Sequence, residues 1–465
     1  MTETPLYLGT VSATESVCPE CLARIPAENV AIGDSVFLVK SCPRHGDFKT
    51  IVWRGTPDYA GWDRPKTPAY PTAPATEDYW GCPFDCGLCP DHRQQTCTGL
   101  LEVTQRCDLR CSFCFASSGP DGPPDPDLGV IASWYQALLN SGGPCNIQLS
   151  GGEPTTRDDL PDIVALGKSL GFGFIQLNTN GIRLSRDEPY ARKLADAGLD
   201  SVFLQFDGTS DDIHRVTRGR RMLAQKIAAI DHCAAVGLGV ILVPTLVPGI
   251  NTDNIGAILR FALDRFPTVR GVHFQPVTYL GRYPQQPSDQ DRITIPEVIR
   301  EIDTQTDGMF PADTMTTGGC ENARCSLHGN YVIMPDGTAA PWTRHQPRQS
   351  QQCCTPASAA EGAAQTRQFV ADHWAGQPGN DEAFIPLGEV KRRPLGDWEV
   401  FLERQQTHTF CISGMAFQDA WTLDLERLRD CCIHTVAPDG RIIPFCAYNL
   451  TDRSGRSLYR GVSAE

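Results

Sequence analysis

Cysteine spacing constrains this chain more than any other feature. Eighteen of the twenty cysteines fall into four spaced groups along 465 residues. The start, Met1-Thr2-Glu3-Thr4-Pro5, has neither the basic segment nor the apolar run of a secretion signal, so a reducing, cytoplasmic setting is expected. Thiols kept reduced serve as metal ligands or redox groups, and disulfides are the weaker reading. Charge sums to 41 − 55 = −14 with no basic block, which removes nucleic acid as a default partner. Residues 234–251 are uncharged, but Gly237, Gly239, Pro244, Pro248 and Gly249 interrupt any helix there, so a membrane span is rejected.

In the first group, Cys18-Pro19-Glu20-Cys21 and Cys42-Pro43-Arg44-His45 form two tight knuckles joined by short strand patterns. Three thiolates and one imidazole then converge on a tetrahedral ion, either zinc or a rubredoxin-like mononuclear iron. In the second, Cys82, Cys86, Cys89 and Cys97 can hold all four irons of an auxiliary [4Fe–4S] cluster; a second zinc site fits the spacing less well. The third group decides the chemistry. Residues 104–118 read TQRCDLRCSFCFASS, placing Cys107, Cys111 and Cys114 in a C-x3-C-x2-C loop directly after the apolar run 100–103. The next cysteine is Cys145, so three thiolates on a four-iron cluster leave one iron with an open position.

Apolar runs at 100–103, 147–149, 174–177, 202–205, 240–247 and 272–275 alternate with helical patterns at 131–140, 160–169, 189–197, 222–235 and 255–266. Such alternation predicts an α/β fold whose parallel sheet curls into a partial (β/α)6, TIM-like barrel with active residues at the carboxyl ends of its strands. Four units are expected: a metal ribbon over 1–75, an auxiliary-cluster loop over 76–99, the barrel over 100–290 and a C-terminal cluster region over 291–465. The fourth cysteine group lies in that last unit: Cys320, Cys325, Cys353, Cys354, Cys411, Cys431, Cys432 and Cys446. Residues 431–446 read as a hairpin turning at Pro438-Asp439-Gly440, which brings Cys431 or Cys432 to Cys446. With Cys320 and Cys325 these thiols can ligate a further auxiliary cluster, the alternative being buried structural thiols. Residues 349–366 read as a polar loop.

The cysteine loop, followed by Gly151-Gly152-Glu153-Pro154 at the end of a buried-strand pattern, resembles the radical S-adenosylmethionine (radical SAM) superfamily. In that family the open iron chelates the amino and carboxylate groups of SAM, and cleavage of the S–C5′ bond gives a 5′-deoxyadenosyl radical. The resemblance implies that Gly151, Gly152 and Glu153 place the methionyl end and that Phe113 stacks near the adenine. It also implies that Asn178 and Asn180 meet the ribose, that Gln205 and Asp207 end the next strand, and that Arg218 or Arg220 pairs with the SAM carboxylate. The N-terminal knuckles, GCPFDCGLCPDH at 81–92, FQDAWTLDLERL at 417–428 and CCIHTVAPDGRIIPFCAYNLTD at 431–452 resemble one branch of the superfamily. That branch contains 7,8-dihydro-6-hydroxymethylpterin dimethyltransferases and tetraether lipid synthase-like proteins. It implies carbon–carbon bond formation or methyl transfer on a small-molecule or lipid substrate, with an electron donor such as flavodoxin or ferredoxin. Pterin dimethyltransferase-like chemistry is the main expectation, and lipid-tail coupling the alternative. A non-catalytic iron–sulfur electron carrier or redox sensor accounts for the cysteines, but not for the GGEP segment or for six strand ends aimed at one face.

Overall fold

The structure, a computed structural model, describes residues 7–72, 74–344, 356–376 and 397–461. Cys353 and Cys354 lie outside the described residues. The ribbon is a four-stranded antiparallel meander of β1 (Tyr7–Val17), β2 (Arg24–Ile32), β3 (Ser35–Cys42) and β4 (Gly46–Arg54). Burial alternates along β2 and β3, as expected of a sheet with one face packed and one wet. The packed face docks on the rest of the chain. Buried Lys40 donates from Nζ to Ser16 Oγ (2.9 Å) and to the Ala420 carbonyl (2.7 Å), and Trp62 Nε1 donates to the Ser326 carbonyl (3.3 Å).

From β5 (Thr98–Thr104) the chain alternates through α1 (Leu128–Gly142), β6 (Asn146–Gly151), α2 (Leu160–Ser169), β7 (Ile175–Thr179), α3 (Glu188–Asp196) and β8 (Ser201–Gln205). It continues through α4 (Asp211–Arg218), α5 (Leu223–Ala235), β9 (Gly239–Val243), β10 (Thr245–Leu246), α6 (Ile255–Leu263) and β11 (Val269–Pro276). Strands β5, β6, β7, β8, β9 and β11 pair in parallel in that order, which is the partial (β/α)6 barrel the alternation predicts. The run 240–247 divides into β9 and β10 at Pro244, which has no N–H for a ladder. Helix α4 was not expected; Ser210 caps it by accepting from the Ile213 N–H, and only two of its eight residues are buried.

The C-terminal third extends the barrel sheet at both edges. After α7 (Ile295–Gln305), β12 (Ser326–Ile333) and β13 (Ala339–Pro341) come α8 (Ala359–Trp374), β14 (Thr409–Met415), β15 (Ile433–Val436) and β16 (Ile442–Pro444). Strand β14 pairs in parallel with β11, and β15 in parallel with β5. The polar-loop reading of 349–366 is corrected from residue 359 onward, because Ser358 and Glu361 form a capping box that starts α8. Helix α8 crosses the amino ends of the barrel strands. Arg367 Nη1 donates to the Thr96 carbonyl (3.3 Å), Asn146 Nδ2 to the Arg367 carbonyl (3.3 Å), and Arg270 Nε to the His373 carbonyl (3.0 Å). The 431–446 hairpin is present as β15 and β16, with His434 opposite Pro444. No helix among the described residues is long and apolar enough to cross a membrane.

Candidate functional site

Cys107, Cys111 and Cys114 follow β5 at the carboxyl end of the barrel, half-buried and facing its interior cavity. Their loop is pinned from several sides. The Cys107 N–H donates to the Gly119 carbonyl (2.9 Å), and Cys114 exchanges two backbone hydrogen bonds with Arg282, both 2.9 Å. The Arg282 guanidinium donates to the carbonyls of Cys111 (2.8 Å), Ser117 (3.3 Å) and Ser118 (3.0 Å). Nothing in the sequence reading pointed to Arg282, since a lone Gly-Arg after a strand carries no local signal. Burial pushes the Cys107 thiol up to about 12, so it ionises only when a cation is at hand.

Gly151 and Gly152 make the crossing of β6 over this loop possible. Gly151 has φ of +119°, and a Cβ there would stand 2.1 Å from the Thr104 carbonyl oxygen; at Gly152 it would stand 2.1 Å from that of Arg106. Glu153 follows, 2% exposed. Its Oε1 accepts from Thr155 N (3.1 Å), Thr155 Oγ1 (2.6 Å) and Thr179 Oγ1 (2.6 Å), and its Oε2 accepts from Asn180 N (2.7 Å). The carboxylate therefore brackets the ends of β6 and β7. Asn180 in turn donates from Nδ2 to Asp108 Oδ1 at 2.7 Å, tying β7 to the cysteine loop.

Two expectations for the strand ends change. Asp207 is not among the residues lining the cavity and is committed to Arg218, with Nε to Oδ2 at 2.6 Å and Nη2 to Oδ1 at 2.8 Å. A carboxylate this deep needs a partner charge, which overrides its role as an expected cofactor contact. Burial alone would raise Asp207, but the Arg218 guanidinium holds it down to about 2. Arg218 lines the cavity, whereas Arg220 is exposed and does not. Lys226, also unforeseen, is fully buried and donates to the Asn180 carbonyl (2.6 Å) and Gln205 Oε1 (2.9 Å).

A cavity of about 570 Å³ runs from the cysteine loop to the amino end of the barrel, where α8 floors it. Its wall carries side-chain amides from successive strands: Gln148, Gln176, Asn178, Gln205 and Gln275. Gln148 Nε2 donates to Gln176 Oε1 at 2.9 Å, while Asn178 Oδ1 and Gln205 Nε2 have no protein partner. An acceptor and a donor thus stand unused on the wall of one cavity, ready for a ligand. Phe113 also lines the cavity, edge-on to Tyr279 with centroids 6.4 Å apart. His273 faces it as a neutral ring, lowered to about 4 by burial.

The other cysteines regroup. The ligand atoms of Cys18, Cys21, Cys42 and His45 lie within 4.8 Å of one another, as a tetrahedral ion requires. Cys82, Cys86 and Cys89 stay together: the Cys82 thiol hydrogen-bonds Cys86 and raises it, and the charge of Cys82 is felt at Cys89. Cys97 does not join them. It sits at the amino end of β5, where its N–H donates to the Cys432 carbonyl (2.9 Å), and its sulfur is bonded to that of Cys320 at 2.03 Å. Both the four-cysteine second group and the pairing of Cys320 with Cys325 are corrected accordingly. Cys325, Cys431 and Cys446 lie near enough for their charges to interact, and burial raises all three. Of the adjacent pair, Cys432 groups with Cys97 and Cys320, whereas Cys431 feels the charge of Cys446 and Cys325. Cys145 and Cys233 are core residues, and Cys411, on β14, is buried against the cavity wall.

Residues 101–262 match the model of the radical SAM superfamily, and residues 10–54 match that of the HMPTM N-terminal zinc ribbon domain. The 7,8-dihydro-6-hydroxymethylpterin dimethyltransferase of Methanocaldococcus jannaschii is 34% identical over 477 residues, which takes in 95% of this chain and 94% of that one. This chain belongs to the radical SAM superfamily, in the family of that protein. The mitochondrial GTP 3',8-cyclase of Arabidopsis thaliana is 30% identical over 258 residues, spanning 50% of this chain and 65% of its own. Among solved structures, Streptococcus suis SuiB bound to S-adenosylmethionine aligns at 16% identity with TM-score 0.36, covering 46% of this chain and 48% of that one. Methylornithine synthase aligns at 17% with TM-score 0.36, covering 46% and 63%. The protein is accordingly a radical SAM transferase that uses a [4Fe–4S] cluster and SAM. The cysteine loop fits that group: three thiols on one rigid loop face a cavity whose next strand ends offer the unpaired amide atoms of Asn178 and Gln205.

Proposed function

We propose that this chain methylates a reduced pterin held inside the barrel. The observation that carries the reading is the set of side-chain amides in an otherwise largely apolar cavity wall. A pterin presents ring nitrogens, an amino group and an oxo group at its edge, which match the donors and acceptors of Gln148, Gln176 and Gln275. A lipid tail in the same place would offer these amides no hydrogen bond beyond those they make within the protein, such as Gln148 to Gln176 (2.9 Å).

When bound, the cluster and SAM supply a 5′-deoxyadenosyl radical, the hard chemistry of the reaction. The chain holds and shields them. In this reading Cys107, Cys111 and Cys114 ligate the cluster while Arg282 fixes the loop. Gly151, Gly152 and the Glu153 bracket place the methionyl end; Asn178 and Gln205 meet the adenosyl group, and Phe113 flanks its base. Asp207 orients Arg218, which also reaches the Cys111 side chain and so stands at the edge of the cluster site, close to where the SAM carboxylate would lie. Helix α8 and the extra sheet strands exclude water from the far end, which protects a reactive carbon centre from side reactions.

Zinc in the ribbon, an auxiliary cluster at Cys82, Cys86 and Cys89, another at Cys325, Cys431 and Cys446, a flavodoxin or ferredoxin donor and a cytoplasmic location complete the reading. The test is anaerobic incubation with SAM, dithionite and 6-hydroxymethyl-7,8-dihydropterin. Mass spectrometry is expected to find 5′-deoxyadenosine together with a pterin heavier by one or two methyl groups. An unchanged pterin beside coupled lipid chains would support the lipid alternative instead.

A further inference from the structure

We propose that Lys226 is a positioning residue for SAM: it holds the oxygen end of the Gln205 amide and so commits the amide nitrogen to an acceptor atom of the adenosyl group. The inference rests on the reading that Gln205 meets that group. Lys226 lies on α5, has no exposed surface and is not among the residues that line the cavity. Its Nζ donates to Gln205 Oε1 at 2.9 Å and to the Asn180 carbonyl at 2.6 Å. Gln205 itself lines the cavity, and its buried Nε2 has no partner among the described residues.

A side-chain amide has a donor end and an acceptor end of nearly equal size, so either end of Gln205 could turn toward a ligand. The Lys226 ammonium removes the choice. It carries donors and no acceptor, so it holds the oxygen and leaves the nitrogen for the cavity. Asn178, on the neighbouring strand, shows the contrast. Its Nδ2 donates to Ser150 Oγ at 3.4 Å, and a hydroxyl can donate or accept, so no comparable group dictates the sense of that amide.

The same Nζ sets Gln205 in register with the rest of the site. Asn180, whose carbonyl Lys226 holds, gives its N–H to Glu153 Oε2 and its Nδ2 to Asp108 Oδ1, both at 2.7 Å. One buried cation thereby links the end of β7, the Glu153 bracket and the end of β8. The link is costly, because burial lowers Lys226 to about 7 and an uncharged side chain of similar length would fill the space without desolvating an ammonium. Local choices that cost stability are concentrated where function requires them.

The experiment uses the full chain with its clusters reconstituted, held anaerobically with radiolabelled SAM and no reductant, so that equilibrium dialysis reads binding without cleavage. Gln205→Leu, Lys226→Met and the double variant are compared with the parent at equal iron content. Gln205→Leu is expected to weaken SAM binding by about tenfold, the worth of one hydrogen bond. Lys226→Met should weaken it in the parent background and have no further effect once Gln205 is leucine, because the lysine acts through the amide. Additive losses, which a merely structural lysine would give, or parent-like binding by Lys226→Met beside a weakened Gln205→Leu, would overturn the positioning role while the contact survives. Parent-like binding by Gln205→Leu would overturn the contact itself, and the inference with it. Gln205→Glu keeps the buried lysine in place and makes the test independent of whether Lys226→Met folds. A carboxylate beside the ammonium offers the ligand acceptors only, so SAM binding should fall at least as far as in Gln205→Leu; binding equal to the parent would overturn the donor assignment.

Discussion

Asp207 and Arg218 form a two-pronged ion pair at the carboxyl end of β8, with the carboxylate wholly buried and the guanidinium side chain 9% exposed. Thr245 joins it, its N–H reaching Asp207 Oδ1 at 3.1 Å. Removing one partner strands the other charge, so Arg218→Ala should destabilise the protein by about 3–5 kcal/mol. The folded carboxyl is held below its usual value, so the contribution is complete above about pH 4 and fades as the pH falls toward 2. Urea unfolding of parent and variant at pH 7 and pH 3 should show the gap narrowing at the lower pH.

Gly151→Ala is expected to disrupt the cysteine loop rather than trim it. The backbone there is left-handed, and the added carbon meets the Thr104 carbonyl, for a penalty of about 3 kcal/mol or more. Thermal melting and iron retention should fall together.

Lys226 offers a different pH signature. Burial lowers it to about 7, aided by Arg218 and opposed by Asp207, Glu153 and Cys111; His214 is a further titratable neighbour on α4. Between that value and the free lysine value the unfolded chain binds a proton that the folded chain does not. Stability from this group therefore rises with pH, by up to about 1.4 kcal/mol per unit. Parent minus Lys226→Met should grow in favour of the parent from pH 7 to pH 9.5 in denaturant titrations.

Arg282→Ala removes three guanidinium hydrogen bonds from the cysteine loop, worth about 3 kcal/mol together. The expected result is slower cluster assembly and faster iron loss to a chelator, with the ribbon ion retained. Arg282→Lys should recover only part, since an ammonium cannot span three carbonyls as a planar fork does.

What the sequence disclosed follows from how local each signal is. Mostly apolar runs between amphipathic helices announced the parallel barrel, and Cys107, Cys111 and Cys114, close in the chain, all line one cavity. The knuckles of Cys18 and Cys42 were legible for the same reason. Long-range partnerships were not: Cys97 meets Cys320 across 223 residues, and nothing in either neighbourhood names the other. Arg282 and Lys226 were missed because each acts on groups distant in the chain, most of them backbone carbonyls, which leave no residue-type signature. Asp207 was misread because its strand-end position looked like a ligand contact, whereas its depth dictated an ion pair.

The central claim is that the Cys107, Cys111 and Cys114 loop carries a cluster with one iron free for SAM. Electron paramagnetic resonance of the dithionite-reduced chain, before and after SAM, tests it most directly. The prediction is a clear change in the cluster signal on adding SAM, absent in Cys111→Ala, with 5′-deoxyadenosine accumulating only in the parent. A signal indifferent to SAM in a fully loaded parent, or 5′-deoxyadenosine formed by Cys111→Ala, would contradict it.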